Sequence, residues 1–351
     1  MTDRDTLLTR LSDDDYQTDI LQDVSRTFAL TIPQLPDPLC RVVSNAYLLC
    51  RIADTIEDDK HMSSLEKTHF AEQFIKVVNG AENAEIFSIE LFPRLSPEAT
   101  QAEKHLIANT ESVIRITHGF NTRQRSALER CVKIMAEGMA RYQDAETLDG
   151  VADLNDMGQY CYYVAGVVGE MLTELFCDYS SEIDSQRDEM MQLAVSFGQG
   201  LQMTNILKDI WEDHHRGACW MPRDIFANYG VDITNKVPGK NTPEFNAAYL
   251  ELLGVARNHL NNALEYTLRI PKAEKGLRKF CLWAIGMAVL TLDKIRQHPN
   301  FTNGQEVKIS RNSVKLTVLL TSMFVKQDKI LRSLFNICGR NLPKQNISAT
   351  L

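Results

Sequence analysis

Apolar residues recur at three- and four-residue spacing from one end of this chain to the other, and alternating apolar and polar runs are almost absent. A chain patterned this way buries helix stripes and offers no material for a sheet, so an all-α protein is expected. The spacing predicts helices over 15–30, 38–58, 64–79, 98–116, 122–143, 153–178, 186–214, 243–268, 274–297 and 311–338. Pro33, Pro36, Pro38, Pro93 and Pro97 punctuate the first part of the chain. The segment from Gly217 to Thr242 and the stretch HPNFTNG at 298–304 break the second. No repeat of solenoid period and no low-complexity linker divides the 351 residues, so one domain is expected.

A formal charge of −8 with no concentrated basic run disfavours nucleic acid as a partner. The eight cysteines never stand closer than ten positions, which excludes a CxxC redox pair or a zinc-knuckle spacing and leaves reduced, mostly buried thiols. His61, His69, His105, His118, His214 and His215 show no metal-ligand spacing either. The first residues, MTDRDTLLTRLSDDD, are polar and acidic where a signal peptide needs an apolar core. The longest apolar run, LTVLLTSMFV at 316–325, is bounded by lysines and too short to span a membrane. These features predict a cytoplasmic protein with at most peripheral membrane contact.

YLLCRIADTIEDD, residues 47–59, crowds like charges at the end of an apolar helix pattern. On a helix Tyr47, Arg51, Asp54 and Asp58 fall at offsets 0, 4, 7 and 11 and share one stripe, with Glu57 at its border. A single cation one turn away leaves a carboxylate surplus. A solvated helix end explains one such cluster. A second stands in FGQGLQMTNILKDIWEDHHRG, residues 197–217, where Gln202, Asn205, Asp209 and Asp213 fall at offsets 0, 3, 7 and 11. Carboxylate surplus at the end of an apolar helix suits Mg²⁺, which takes one or two carboxylates and completes its shell with water and substrate phosphate oxygens. Two such helices facing one another would make a pocket with a metal-binding mouth and an apolar floor, suited to a diphosphate carrying a hydrocarbon tail. Metal-assisted loss of diphosphate leaves an allylic cation, which aromatic faces and hydroxyl dipoles stabilise. QYCYYVAGVVGEM, 159–171, supplies Tyr160, Tyr162 and Tyr163. Its Ala165, Gly166 and Gly169 read either as room for a bulky chain or as close helix packing. GQGLQM at 198–203 lacks the third glycine of a dinucleotide fingerprint and reads as small-residue packing.

These segments together resemble the squalene/phytoene synthases, the head-to-head trans-prenyl transferases, from about Ser25 to about Leu320. DTIED at 54–58 and DIWED at 209–213 are similar to the family's two aspartate-rich motifs. Ser25, Arg26 and Phe28 match its SR-x-F segment, and Tyr160 to Gly169 its YC-x-YVAG-x-VG segment. The resemblance implies an isoprenoid-synthase helical bundle around a central cavity, acting on two molecules of farnesyl diphosphate. Mg²⁺ would be held by Asp54, Glu57, Asp58, Asp209 and Asp213. Ser25, Arg26, Arg51, Tyr163, Gln202, Asn205 and Lys208 would bind substrate, and Tyr47, Gln202 and Asn205 would orient it or a metal-bound water. Tyr160 would take the proton lost on ring closure to presqualene diphosphate, with displaced diphosphate as the ultimate base, and Phe28 and Phe280 would line the apolar region. KFCLWAIGMAVLTL, 279–292, and EVKISRNSVKL, 306–316, lean towards the members that reduce this intermediate to squalene with NADPH, with Asn205, Lys308 and Arg311 as cofactor contacts. Ser310 departs from the basic residue expected there. Dehydrosqualene or phytoene formation without NADPH is the alternative.

Overall fold

The computed structural model describes residues 4–8, 11–25, 27–142 and 147–344. Among the described residues there is no β-strand, only an isolated bridge from Val151 to Pro222. The all-α expectation therefore holds. Contacts group the chain into two compact units: residues 1–143 with 171–185, and residues 144–170 with 186–351.

The first unit holds α1 (Asp13–Val24), α2 (Phe28–Thr31), α3 (Asp37–Glu57), α4 (Ser64–Val78), α5 (Ala84–Leu91), α6 (Gln101–Ala108), α7 (Thr110–His118) and α8 (Thr122–Ala140). Its centre is α3, which packs on α1, α4, α6, α7 and α8. Val42, Ala46, Leu49, Ala53 and Ile56 are buried along it. Asn45 is buried among them without cost, because its amide donates to the Val113 carbonyl at 2.9 Å and accepts from Thr117 Oγ1 at 2.8 Å. Three helix starts are fixed by reciprocal capping boxes, Ser63 with Glu66, Thr100 with Glu103 and Asn121 with Gln124.

The second unit begins with α9 (Leu154–Cys161), a π-helical turn at Tyr162–Gly166 and the first residues of α10 (Val167–Tyr179), whose remainder groups with the first unit, as does α11 (Ser181–Asp184). It continues through α12 (Arg187–Lys208), α13 (Ile210–Arg216), α14 (Arg223–Asn228), α15 (Pro243–Arg269), α16 (Lys275–Gln297), α17 (Arg311–Met323) and α18 (Asp328–Cys338). Here α12 is central, packed on α9, the π turn, α15 and α16. The Arg278 guanidinium is buried, donating to the carbonyls of Leu268, Ile270 and Val325 and to Asp328 at 2.8–2.9 Å, so it ties the end of α15 to the turn between α17 and α18. All eight cysteines are free, six of them buried.

Several expected helices are divided. The 15–30 helix stops at Val24, 98–116 breaks at Asn109, and 311–338 breaks after Met323. The 186–214 helix bends at Asp209, and 153–178 passes through the π turn. A helix over Ala84–Leu91 was not expected from the spacing. The glycines decide between the two readings of the tyrosine segment in favour of close packing. A Cβ on Gly169 would stand 2.1 Å from the Ala194 carbonyl oxygen, and one on Gly198 would stand 2.0 Å from that of Ala165.

Candidate active site

In the first unit the end of α3 gathers most of its expected site residues. Phe28 N donates to Ser25 Oγ at 3.0 Å, and the Phe28 ring leans on Tyr47 with centroids 5.2 Å apart. Tyr47 is half-buried and donates its hydroxyl to the Val24 carbonyl at 3.1 Å, and burial raises its pKa. One turn on, Arg51 pairs with Glu103, while its Nε is buried without a partner. Burial works against the guanidinium's charge, but Asp54, Glu103, Tyr47 and Asp58 outweigh it and raise the pKa. The Asp54 carboxyl is pushed up to about 7, first by burial and then by Asp58, with Glu103 adding and Arg51 opposing. Asp58 is exposed and lines a cavity of about 210 Å³ with Thr55, Asp59, Ser96 and Glu103.

The other two acids of the motif do different things. Glu57 lines a separate small apolar pocket with Ala53, Ile56, Phe74 and Met139. Asp59 closes the following loop: Oδ1 accepts from His61 N at 2.8 Å and Met62 N at 3.0 Å, and Oδ2 from Ser96 N at 2.6 Å. Its charge is satisfied by backbone dipoles.

In the second unit the bend at Asp209 shapes the other motif. The buried Tyr249 hydroxyl donates to the Leu207 carbonyl, the acceptor an unbroken helix would offer residue 211. Asp209 pairs with Lys208 at 2.7 Å. Burial raises the Asp209 pKa, with Lys208 opposing and Glu212 adding. Asp213 is buried and pairs with Arg216. Gln202 is half-buried and Asn205 exposed on the preceding turns. Glu212 accepts from Gly304 N at 2.7 Å through Oε1, while its Oε2 is buried and unpartnered. No group of three or more described His, Cys, Asp or Glu side chains converges to hold a metal unaided.

Gly304 carries no motif or spacing that marks it in the sequence. A Cβ there would lie 2.8 Å from Asp209 Oδ1 and 3.2 Å from Glu212 Oε1. Gly304→Ala is expected to turn the Asp209 carboxylate aside and raise the Mg²⁺ concentration for half-maximal rate about tenfold, with little change in melting temperature. A metal titration of turnover beside a thermal melt checks this; unchanged metal dependence would rule it out.

Tyr160 is buried and stacked on Trp220, centroids 3.8 Å apart and planes 6° from parallel. Trp220 is held by its loop, where Val151 N donates to the Met221 carbonyl at 3.1 Å and Arg223 N to that of Val151 at 3.0 Å. Tyr162 and Tyr163 meet edge to face at 5.5 Å. Phe280 is buried on α16, and Lys308 and Arg311 are exposed on either side of Ser310, the N-cap of α17. Arg26 lies outside the described residues. Glu103 in the first unit, and Trp220, Tyr249 and Gly304 in the second, touch expected site residues or the chain beside them without having been expected there. Of these only Glu103 carried a sequence signal, T-x-x-E, and that signal reads as a helix cap.

A solved ligand complex of the protein TcSQS superposes with a TM-score of 0.75 over 96% of this chain and 94% of its own, at 21% identity. A dehydrosqualene synthase in complex with ligand does so at 0.64 over 90% and 96%, at 19% identity. These likenesses establish the all-α isoprenoid-synthase fold. Residues 21–313 match the family model of the squalene/phytoene synthases, and the chain belongs to that family. Squalene synthase of Schizosaccharomyces pombe is 28% identical over 330 residues, covering 93% of this chain and 69% of that protein. Squalene synthase of Cyberlindnera jadinii is 27% identical over 303 residues, covering 86% and 66%. The chain thus spans about two thirds of the length of these relatives, and they favour the squalene branch of the family.

Proposed function

We propose that the protein is a squalene synthase that joins two farnesyl diphosphates head to head, giving presqualene diphosphate, and reduces that intermediate with NADPH. The observation that carries the proposal is the end of α3. There burial, and then Asp58, push the Asp54 carboxyl up to about 7, beside an Arg51 whose Nε is buried without a partner. Surplus negative charge next to a spare guanidinium donor fits a divalent cation and a diphosphate arriving together.

Asp54 and Asp58 in one unit, and Asp209 and Asp213 in the other, would hold Mg²⁺; Glu57, against its apolar pocket, stands further from that role. Mg²⁺ supplies charge neutralisation on the leaving diphosphate. Arg51 and Lys208 grip phosphate oxygens, and Ser25, Arg26 and Tyr163 add substrate contacts. Tyr47, Gln202 and Asn205 orient the head group. Tyr160, its ring fixed against Trp220, relays the proton lost as the cyclopropane closes to the displaced diphosphate, which is the ultimate base. Phe28 and Phe280 present apolar walls that do not react with a cation. Lys308 and Arg311, exposed cations about the Ser310 cap, have the chemistry to take NADPH phosphates, and NADPH supplies hydride for the second step.

Incubation with labelled farnesyl diphosphate and Mg²⁺, with and without NADPH, tests this. Squalene is expected only with NADPH, and presqualene diphosphate without it. Dehydrosqualene as the sole product under both conditions would overturn the reductive step and leave the condensation standing.

A further inference from the structure

The chain carries −8 overall, yet from Lys308 to Lys344 it holds eight Lys and Arg against a single carboxylate, Asp328. All eight are exposed. Asp328 is itself occupied by Lys272 and the buried Arg278, both outside the segment. Of the eight cations, Arg332 is the one that has a carboxylate partner among the described residues, Glu265. The positive charge on α17 and α18 is therefore largely uncompensated where it stands.

The same two helices expose apolar side chains. Leu316, Leu319 and Met323 fall at offsets 0, 3 and 7 on α17 and are 54%, 57% and 60% exposed, and Ile337 on α18 is 61% exposed. Leu316 also borders a cavity of about 180 Å³ whose lining includes Ile285, Leu320, Leu334 and Phe335. Wet apolar side chains at i, i+3 and i+7 on a helix that also carries Arg311 and Lys315, with Lys326 and Lys329 just after it, combine the two needs of an interfacial segment, apolar enough to enter the headgroup boundary and basic enough to be drawn to it. No helix among the described residues is long and apolar enough to cross a membrane, so the contact is one that lies on a surface.

We propose that the α17–α18 face is a docking surface for a lipid bilayer bearing anionic headgroups. Charge complementarity selects this occupant. A second copy docked through the same face would set one positive face against another, a juxtaposition that like charges oppose, whereas an anionic leaflet meets the basic side chains and takes up the Leu316, Leu319 and Met323 side chains together. The inference is independent of the reaction, since it concerns exposed residues of α17 and α18 and is read without turnover.

Flotation of the whole chain with phosphatidylcholine vesicles, and with vesicles in which part of the phosphatidylcholine is replaced by phosphatidylglycerol, tests it. Partition is expected to be at least about tenfold stronger on the anionic vesicles and to be lost in about 1 M salt, where the screening length falls to about 3 Å. A Leu316→Ser, Leu319→Ser, Met323→Ser triple variant and a Lys326→Gln, Lys329→Gln double variant should each lose about tenfold with unchanged melting temperature. Leu65→Ser, which alters a leucine 84% exposed on α4, should lose nothing. Three results would overturn the proposal: no partition to anionic vesicles, partition that neither multiple variant weakens, or sedimentation showing that the triple variant abolishes self-association in a chain that ignores vesicles.

Discussion

Asp54→Asn is expected to lower the rate of presqualene diphosphate formation at least about a thousandfold, the loss of roughly 4 kcal/mol of charge stabilisation on the departing diphosphate. The same change is expected to make the metal-free protein more stable at neutral and alkaline pH. The folded protein holds the Asp54 carboxyl at about 7 against its ordinary 3.8, because burial and then Asp58 oppose its charge. Between those values the native chain binds the proton that the unfolded chain has released, so this group's contribution to stability falls as pH rises through the window. Above it the folded protein carries the full penalty. An uncharged amide of the same shape carries none, which is worth on the order of 1 kcal/mol or more for a half-buried site. The pair of measurements is chemical denaturation of both proteins without metal at pH 8 and single-turnover kinetics with Mg²⁺. A variant that turns over at full rate with unaltered Mg²⁺ dependence, or that is less stable than the parent at pH 8, would remove Asp54 from the metal site.

How much of this was legible depends on whether the determining contact is local. The Tyr47, Arg51, Asp54 and Asp58 stripe follows from helical offsets within one turn-by-turn pattern, and the structure keeps it because α3 runs unbroken to Glu57. The Gln202, Asn205, Asp209 and Asp213 stripe requires a continuous helix, and there a distant residue intervenes. Tyr249, on α15, engages the Leu207 carbonyl where the helix bends, so the carboxylates after Asp209 do not continue the line of α12. Glu103 and Gly304 were invisible as site residues for the same reason. Glu103 reads as the third residue of a capping box, and it is one, with Oε2 accepting from Thr100 N at 2.8 Å. Its other oxygen holds Arg51, 52 positions away. A lone glycine in HPNFTNG signals a loop, and only the fold lays its N–H against Glu212, 92 positions earlier. Asp59 shows the converse. It lies off the Asp54 and Asp58 stripe, and three backbone N–H groups of its own and a neighbouring loop account for it.

Gly198→Ala is expected to destabilise the fold by about 3 kcal/mol, the upper part of the range for overpacking a close contact. The added Cβ would lie 2.0 Å from the Ala165 carbonyl oxygen, 2.4 Å from its carbon and 2.7 Å from Gly166 N. A flexible side-chain end would swing away from such an intruder, but these are peptide atoms. They belong to the π-helical turn Tyr162–Gly166, whose extra residue already spends one helical hydrogen bond to make the segment fit. Relief therefore requires α12 to move off the turn that follows Tyr160, so loss of stability should come with loss of ordering at the tyrosine that is stacked on Trp220. Gly217→Ala is the informative comparison. Gly217 has φ +86° and nothing within 4 Å of its would-be Cβ, so alanine there meets only backbone strain, about 1 kcal/mol. Urea unfolding of the two variants should place Gly198→Ala well below Gly217→Ala in midpoint, and only the former should change the near-ultraviolet circular dichroism that the Tyr160–Trp220 pair contributes to. Equal midpoints would mean that α12 and the π turn yield more readily than their backbone contact indicates.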